Sequence, residues 1–178
     1  MMAATRIRLL NAAALLLLGL GSLSACEEDL NARAVFLCPD KDIFVNHVSP
    51  LMERRCGTLD CHGTDFRPMR LYGELGLRHP GELNRSGGNA TTLLELENNY
   101  RSVCNVEPEK VSEVASDPGG QSVNKLLLVR KGRGTEGHKG GKVFNPFDAS
   151  DLCVVGWLRG DNEKAVEAAC QEALANLP

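Results

Sequence analysis

Aromatic side chains are scarce in this sequence: one Trp, two Tyr and five Phe make up 4% of its 178 residues. Because aromatic side chains bury the largest apolar areas, a chain with so few of them has a small core and benefits from covalent cross-links. The hydrophobic content of 43% is ordinary for a globular protein. The length leaves room for one domain and a targeting segment, and not for a second full domain.

Motifs of hydrolytic enzymes are missing as well. The chain has no G-x-S-x-G nucleophile turn and no H-E-x-x-H metalloprotease pair. The glycine-rich stretch 131–142 does not match a phosphate-binding loop, because Val143 follows Gly141 and Lys142 where Ser or Thr is required. The formal net charge of −3 gives no attraction for nucleic acid. We therefore expect neither a hydrolase nor a nucleic-acid partner.

The alternation of apolar and polar residues that marks a half-buried strand is also absent, whereas helical spacing recurs. Phe44, Val48 and Met52 share one face of a helix that Ser49-Pro50 interrupts. The predicted helices cover residues 42–56, 92–103, 123–130, 150–159 and 163–176. In the 92–103 helix, the side expected to be buried consists of Leu93, Leu94, Leu96 and Tyr100. The predicted fold class is all-α, with long irregular connections.

The first 25 residues have the pattern of a secretory signal. Arg6 and Arg8 precede an apolar run, 9–20, which is too short to span a membrane. After this run comes Leu23-Ser24-Ala25-Cys26, which resembles the lipobox of bacterial lipoproteins. The alternative is plain cleavage that leaves Cys26 free. The predicted organisation is a signal peptide at 1–25, a tether at 26–41 and a domain at 42–178.

The lipobox resemblance implies where the protein resides. Lipid on Cys26 would anchor the mature chain to a bacterial membrane without embedding it. Glu27 follows the lipidated position, and the absence of Asp there favours the outer membrane in the pattern that the chain resembles. We therefore expect a periplasmic, lipid-anchored protein in a compartment where disulfides persist.

The most specific chemistry lies in Cys56, Cys61 and His62, which form a C-x4-C-H sequence. In c-type haem attachment two cysteines and the following histidine act together, usually as C-x-x-C-H, so this loop is two residues longer. With an apolar helix before it, residues 42–161 resemble a divergent class I cytochrome c-like domain of exported lipoproteins. The resemblance implies a covalent haem c, with Cys56 and Cys61 as thioethers and His62 as the proximal iron ligand.

The resemblance also implies a second axial ligand and an activity. Cytochromes of this class commonly use a methionine late in the chain, but no methionine follows Met69. His138, flanked by glycines, is the first candidate for the distal position and Met69 the second. The implied function is electron transfer to an unidentified redox partner protein, without enzyme activity; a peroxidase-like activity remains open if His138 does not bind iron.

The cysteine count leaves alternatives open. If Cys26 carries lipid and the C-x4-C pair holds haem, four cysteines remain, an even number that could form two bridges: Cys38, Cys104, Cys153 and Cys170. A second hypothesis is a cofactor-free, disulfide-stapled lipoprotein that serves as a binding or scaffold module, with a third bridge from Cys56 to Cys61. A third hypothesis is a zinc site, formed by Cys56, Cys61, His62 and His138.

Overall fold

The computed structural model describes residues 35–80 and 87–177. The predicted signal peptide at 1–25, the lipobox with Cys26 and most of the predicted tether lie outside the described residues. A compact unit extends over Phe36–Pro178. Within the part of the chain that the structure describes, no helix has the length and apolar character needed to cross a membrane.

The described residues are helical. They form α1 (Lys41–Ile43), a π-helical turn (Phe44–Val48), α2 (Ser49–Cys56), α3 (Leu93–Cys104), α4 (Pro108–Ala115), a 3-10 turn (Ser122–Lys125), α5 (Leu127–Gly132), α6 (Ala149–Arg159) and α7 (Glu163–Ala175). Over 35–80 and 87–177 no strand is present, and the only β-type pairing is an isolated bridge between Tyr72 and Leu77. The predicted all-α class is therefore confirmed.

The first helical run is continuous from Lys41 to Cys56 and widens in its middle. The backbone N–H of Ser49 donates to the carbonyl of Phe44, five residues earlier, which is the spacing of a π-helix. Pro50 follows directly, and proline has no N–H to donate to a carbonyl of the preceding turn. The proline therefore coincides with a π-helical turn instead of ending the helix, and the run keeps Phe44, Val48 and Met52 buried on one side.

The core is centred on Trp157 of α6. The ring of Phe44 lies 4.8 Å from that of Trp157 and 5.7 Å from that of Tyr100, measured between centroids. The indole Nε1 of Trp157 donates a 2.7 Å hydrogen bond to the carbonyl oxygen of Asp40, just before α1. Three of the few aromatic residues are therefore gathered at one point, where the π-helical turn, α3 and α6 meet.

Two disulfides link the helices. Cys38 bonds to Cys104 at the end of α3, and Cys153 of α6 bonds to Cys170 of α7. The two bridges that the even cysteine count allowed are thus present. The first bridge also ties residues near the end of the predicted tether into the compact unit.

The buried side of α3 differs from the expectation. Leu93 and Leu94 are 77% and 50% exposed, whereas Glu95 and Asn99 are fully buried. Glu95 closes a capping box with Thr92, and Asn99 makes hydrogen bonds with the backbone of Tyr72 through both ends of its amide. Because these polar groups are satisfied by specific partners, they occupy the inner face in place of the leucines.

Candidate functional site

A cavity of about 580 Å³ opens between the end of α2, the loop after it, α5 and the loop before α6. Its volume falls within the roughly 300–1,000 Å³ typical of small-molecule sites. Apolar side chains form much of its wall: Met52, Met69, Leu127, Leu128, Phe144 and Val154. The four residues of the predicted zinc set also face this cavity: Cys56, Cys61, His62 and His138.

A tight turn after α2 positions His62. The N–H of His62 donates to the carbonyl of Cys56 at 2.8 Å, closing the C-x4-C-H segment on itself. The backbone of Gly63 and Gly76 packs against the carbonyl of Gly57, and a Cβ at either glycine would come within 2.0 Å of that oxygen. Only glycine fits at these two positions, so the turn is held by backbone packing as well as by hydrogen bonds.

The imidazole of His62 is fixed in one tautomer. Its Nδ1 donates a 2.9 Å hydrogen bond to the carbonyl oxygen of Met69, which leaves Nε2 without the proton. Burial lowers the pKa of His62, against the opposing effect of the Met69 hydrogen bond. The ring is therefore a neutral base at physiological pH.

His138 lies opposite His62 although it is distant in sequence. The ring centroids are 6.1 Å apart and the planes differ by 20°. The Nδ1 of His138 donates to the carbonyl of Gly141 at 2.9 Å, within the glycine-rich loop. The structure thus brings together the two histidines that the sequence analysis paired, while their role as iron ligands stays a prediction.

Cys56 and Cys61 are free thiols in the cavity wall. The local Cys56–Cys61 bridge expected under the disulfide-stapled hypothesis is therefore absent, and the count of three bridges was wrong. Burial raises the pKa of Cys56 to about 12, and the neighbouring Cys61 adds to the shift. The Cys56 thiol is consequently neutral near pH 7 and a weak nucleophile.

The other candidate, Met69, is buried beside the same cavity, and its carbonyl holds His62. Sequence reasoning treated Met52 as ordinary core, yet Met52 also lines the cavity. Three cations among the lining residues were missed: Arg67, Lys131 and Lys139. The two lysines stand in the glycine-rich stretch 131–142, whose basic character is visible in the sequence.

The donor atoms of the cavity do not form a metal centre. Among residues 35–80 and 87–177, no group of three or more His, Cys, Asp or Glu side chains is arranged to hold a metal ion. The zinc site predicted from Cys56, Cys61, His62 and His138 is not formed. The same finding corrects the main functional prediction, an electron carrier with one covalent haem. The structure favours the disulfide-stapled alternative, because two disulfides are present.

A comparison with protein-family models found no match, and comparisons with curated proteins and with solved structures found none either. The functional argument therefore rests on the geometry of the cavity and on the sequence around it.

Proposed function

We propose that this protein is a disulfide-stapled binding module of the bacterial cell envelope. In this proposal the domain keeps a cytochrome c-like helical fold and binds a small, mostly apolar molecule reversibly, without a covalent cofactor and without catalysing a reaction.

Lipid on Cys26 anchors the domain to the outer membrane on its periplasmic side. Replacing Cys26 by Ser should release the protein from the membrane fraction.

The observation that carries the binding proposal is the cavity itself. A chain with few aromatic residues would gain stability by closing an open cavity of about 580 Å³, because its uncovered apolar walls forgo packing contacts. This chain instead keeps the space open and places two imidazoles on its walls. Apolar walls with a few convergent polar groups are the usual composition of a ligand site.

Rigidity around the cavity also supports the proposal. The Cys153–Cys170 bridge ties α6, which contributes Val154 to the wall, to α7. The guanidinium of Arg55 donates to the carbonyl of Val143, linking the end of α2 to the loop before α6 at 3.2 Å. A preformed site loses less conformational entropy when a ligand binds, which raises affinity.

Binding of N-phenyl-1-naphthylamine, a neutral apolar fluorophore, tests the proposal. We expect saturable binding with one site per chain and a rise in fluorescence. Leu127→Trp and Val143→Trp, which fill the cavity, should weaken binding at least about tenfold. Leu152→Trp is the matched control, because Leu152 is exposed on α6 and does not line the cavity. Circular dichroism confirms that each variant is folded.

Two results would overturn the proposal. The first is a folded wild-type protein that does not bind the fluorophore in a saturable manner. The second is a c-type pyridine haemochrome band that survives acid-acetone extraction, in protein produced together with cytochrome c maturation machinery. That band would mean that haem c, the cofactor expected from the sequence, is attached at Cys56 and Cys61.

A further inference from the structure

Three cationic side chains stand among the residues that line the cavity: Arg67, Lys131 and Lys139. Among the lining residues that the structure describes, Asp60 is the only acidic one. This balance is opposite in sign to the net charge of −3 of the whole chain. A local excess of cations in the lining of a largely apolar cavity attracts anions and repels other cations.

These cations are not used in ion pairs of the fold. Over the described ranges, no carboxylate forms a salt bridge with Arg67, Lys131 or Lys139, although other surface cations have such partners, as Arg130 has in Glu136. Arg67 Nε donates to the carbonyl of Cys61 at 3.3 Å, and Lys131 Nζ donates to that of Gly137 at 2.7 Å. Backbone carbonyls therefore position two of the charges without neutralising them.

From this arrangement we propose that the ligand is an amphiphilic organic anion, with its apolar body inside the cavity and its acidic group at the mouth beside Arg67, Lys131 and Lys139. This inference rests on the proposed function, because it specifies the ligand of the same site. His62 is neutral and therefore places no second positive charge in the cavity wall that could draw the acidic group inward. The apolar walls thus receive the uncharged part of the ligand. Only the acidic group meets the cations, where it stays partly hydrated.

A matched pair of fluorophores tests the inference. The compound 1-anilinonaphthalene-8-sulfonate has the same ring skeleton as N-phenyl-1-naphthylamine and adds one sulfonate. We expect the anion to bind roughly tenfold more tightly than the neutral compound at low ionic strength, and the preference to shrink as salt screens the charges. Equal affinities, or a preference for the neutral compound, would overturn the inference.

Charge-removing variants identify the residues responsible. Arg67→Gln and Lys139→Gln should each weaken binding of the anion by about two- to fivefold and weaken binding of the neutral compound less. Lys164→Gln, at the exposed start of α7, is the control and should change neither affinity. An undiminished anion preference in the double variant Arg67→Gln/Lys139→Gln would also overturn the inference.

The outcomes separate the two proposals. If the neutral fluorophore does not bind in a saturable manner, the proposed binding function fails. Suppose instead that the neutral compound binds and that Leu127→Trp and Val143→Trp weaken its binding, but that the anion binds no more tightly. The binding function then stands, and only the inference about the ligand's charge fails.

Discussion

The guanidinium of Arg78 forms two parallel hydrogen bonds with the carboxylate of Glu95, from Nε to Oε1 and from Nη2 to Oε2, each 2.9 Å long. The side chain of Arg78 is 4% exposed and that of Glu95 is fully buried. Arg78 also donates to the carbonyls of Asn89 and Ala90. This pair therefore joins the irregular segment between α2 and α3 to the start of α3.

Removing one member of this pair should be costly. Arg78→Met leaves the Glu95 carboxylate buried without its cation, and we expect a loss of about 3–5 kcal/mol in the free energy of unfolding. Burial by itself raises the pKa of Glu95, but the hydrogen bonds from Arg78 and Thr92 outweigh it and hold the pKa at about 2. Urea denaturation near neutral pH measures the loss.

A matched variant separates this effect from the loss of any arginine. Arg101→Met removes an exposed ion pair with Glu97, whose atoms are 3.8 Å apart. That change should cost no more than about 0.5 kcal/mol. Similar losses for the two variants would contradict the role given to the Arg78–Glu95 pair.

Glu53 has a raised pKa, whereas the pKa of Glu95 is lowered, so the two carboxyls change the stability in opposite directions as pH rises. Burial raises the pKa of Glu53, against the hydrogen bonds donated by Thr91 at 2.5 Å and Ser49 at 2.8 Å. The unfolded chain therefore loses this proton at a lower pH than the folded chain does, and the folded state loses stability as pH rises from about 4 towards 7. Glu53→Gln removes the titration.

Urea denaturation as a function of pH checks this prediction. The free energy of unfolding of Glu53→Gln, relative to the wild-type protein, should increase with rising pH. Thr91→Val removes a hydrogen bond that opposes the effect of burial, so its stability should fall more steeply over the same range. A difference between Glu53→Gln and wild type that does not vary with pH would rule out this role for Glu53.

The ends of α6 and α7 lie within one residue of the ranges predicted from the sequence, 150–159 and 163–176. Asp148 caps α6, Asn162 caps α7, and Gly160 ends α6 with a φ of 74°, a conformation that suits glycine. These signals are local, because a cap bonds to residues within one turn. The helix α4 was missed even though Pro108 begins it, since its two buried valines make too short a pattern to recognise.

The buried face of α3 and the cations in the cavity wall could not be predicted from such local signals. Glu95 is buried because Arg78 reaches it from an irregular loop. Arg67 and Lys139 come to line the same cavity only through folding. Such contacts depend on loop paths that have no sequence period. The pairing of His62 with His138 was anticipated through the cytochrome resemblance, and not from spacing.

The two disulfides should contribute unequally to stability. Cys38–Cys104 closes a separation of 66 residues and Cys153–Cys170 one of 17. If restriction of the unfolded chain dominates, replacing both cysteines by Ala costs about 4 kcal/mol for the first bridge and about 3 kcal/mol for the second. Urea denaturation of the two double variants measures this, and a larger loss for the second would show that native contacts between α6 and α7 dominate instead.

Cys56 should resist alkylation in the folded protein. With its pKa raised to about 12 by burial, the reactive thiolate fraction near pH 8 is roughly a thousandth of that of an ordinary cysteine. Iodoacetamide treatment followed by peptide mass spectrometry should find Cys56 unmodified in the native state and modified in urea. Recovery of a peptide with Cys56 and Cys61 bridged would contradict the free thiols of the structure.

Phe147, in the loop before α6, has a backbone conformation that bulky residues avoid. Its φ is 70°, in the left-handed region, and its side chain is 80% exposed, so the ring gains little from packing. Asn tolerates this conformation better, and we expect Phe147→Asn to raise the free energy of unfolding by about 0.5–1 kcal/mol. The matched control is Phe66→Asn, because Phe66 is 93% exposed but has no positive φ. Thermal unfolding should show a higher midpoint for Phe147→Asn alone; an equal gain at Phe66 would mean that removing an exposed ring, and not relief of the backbone, is responsible.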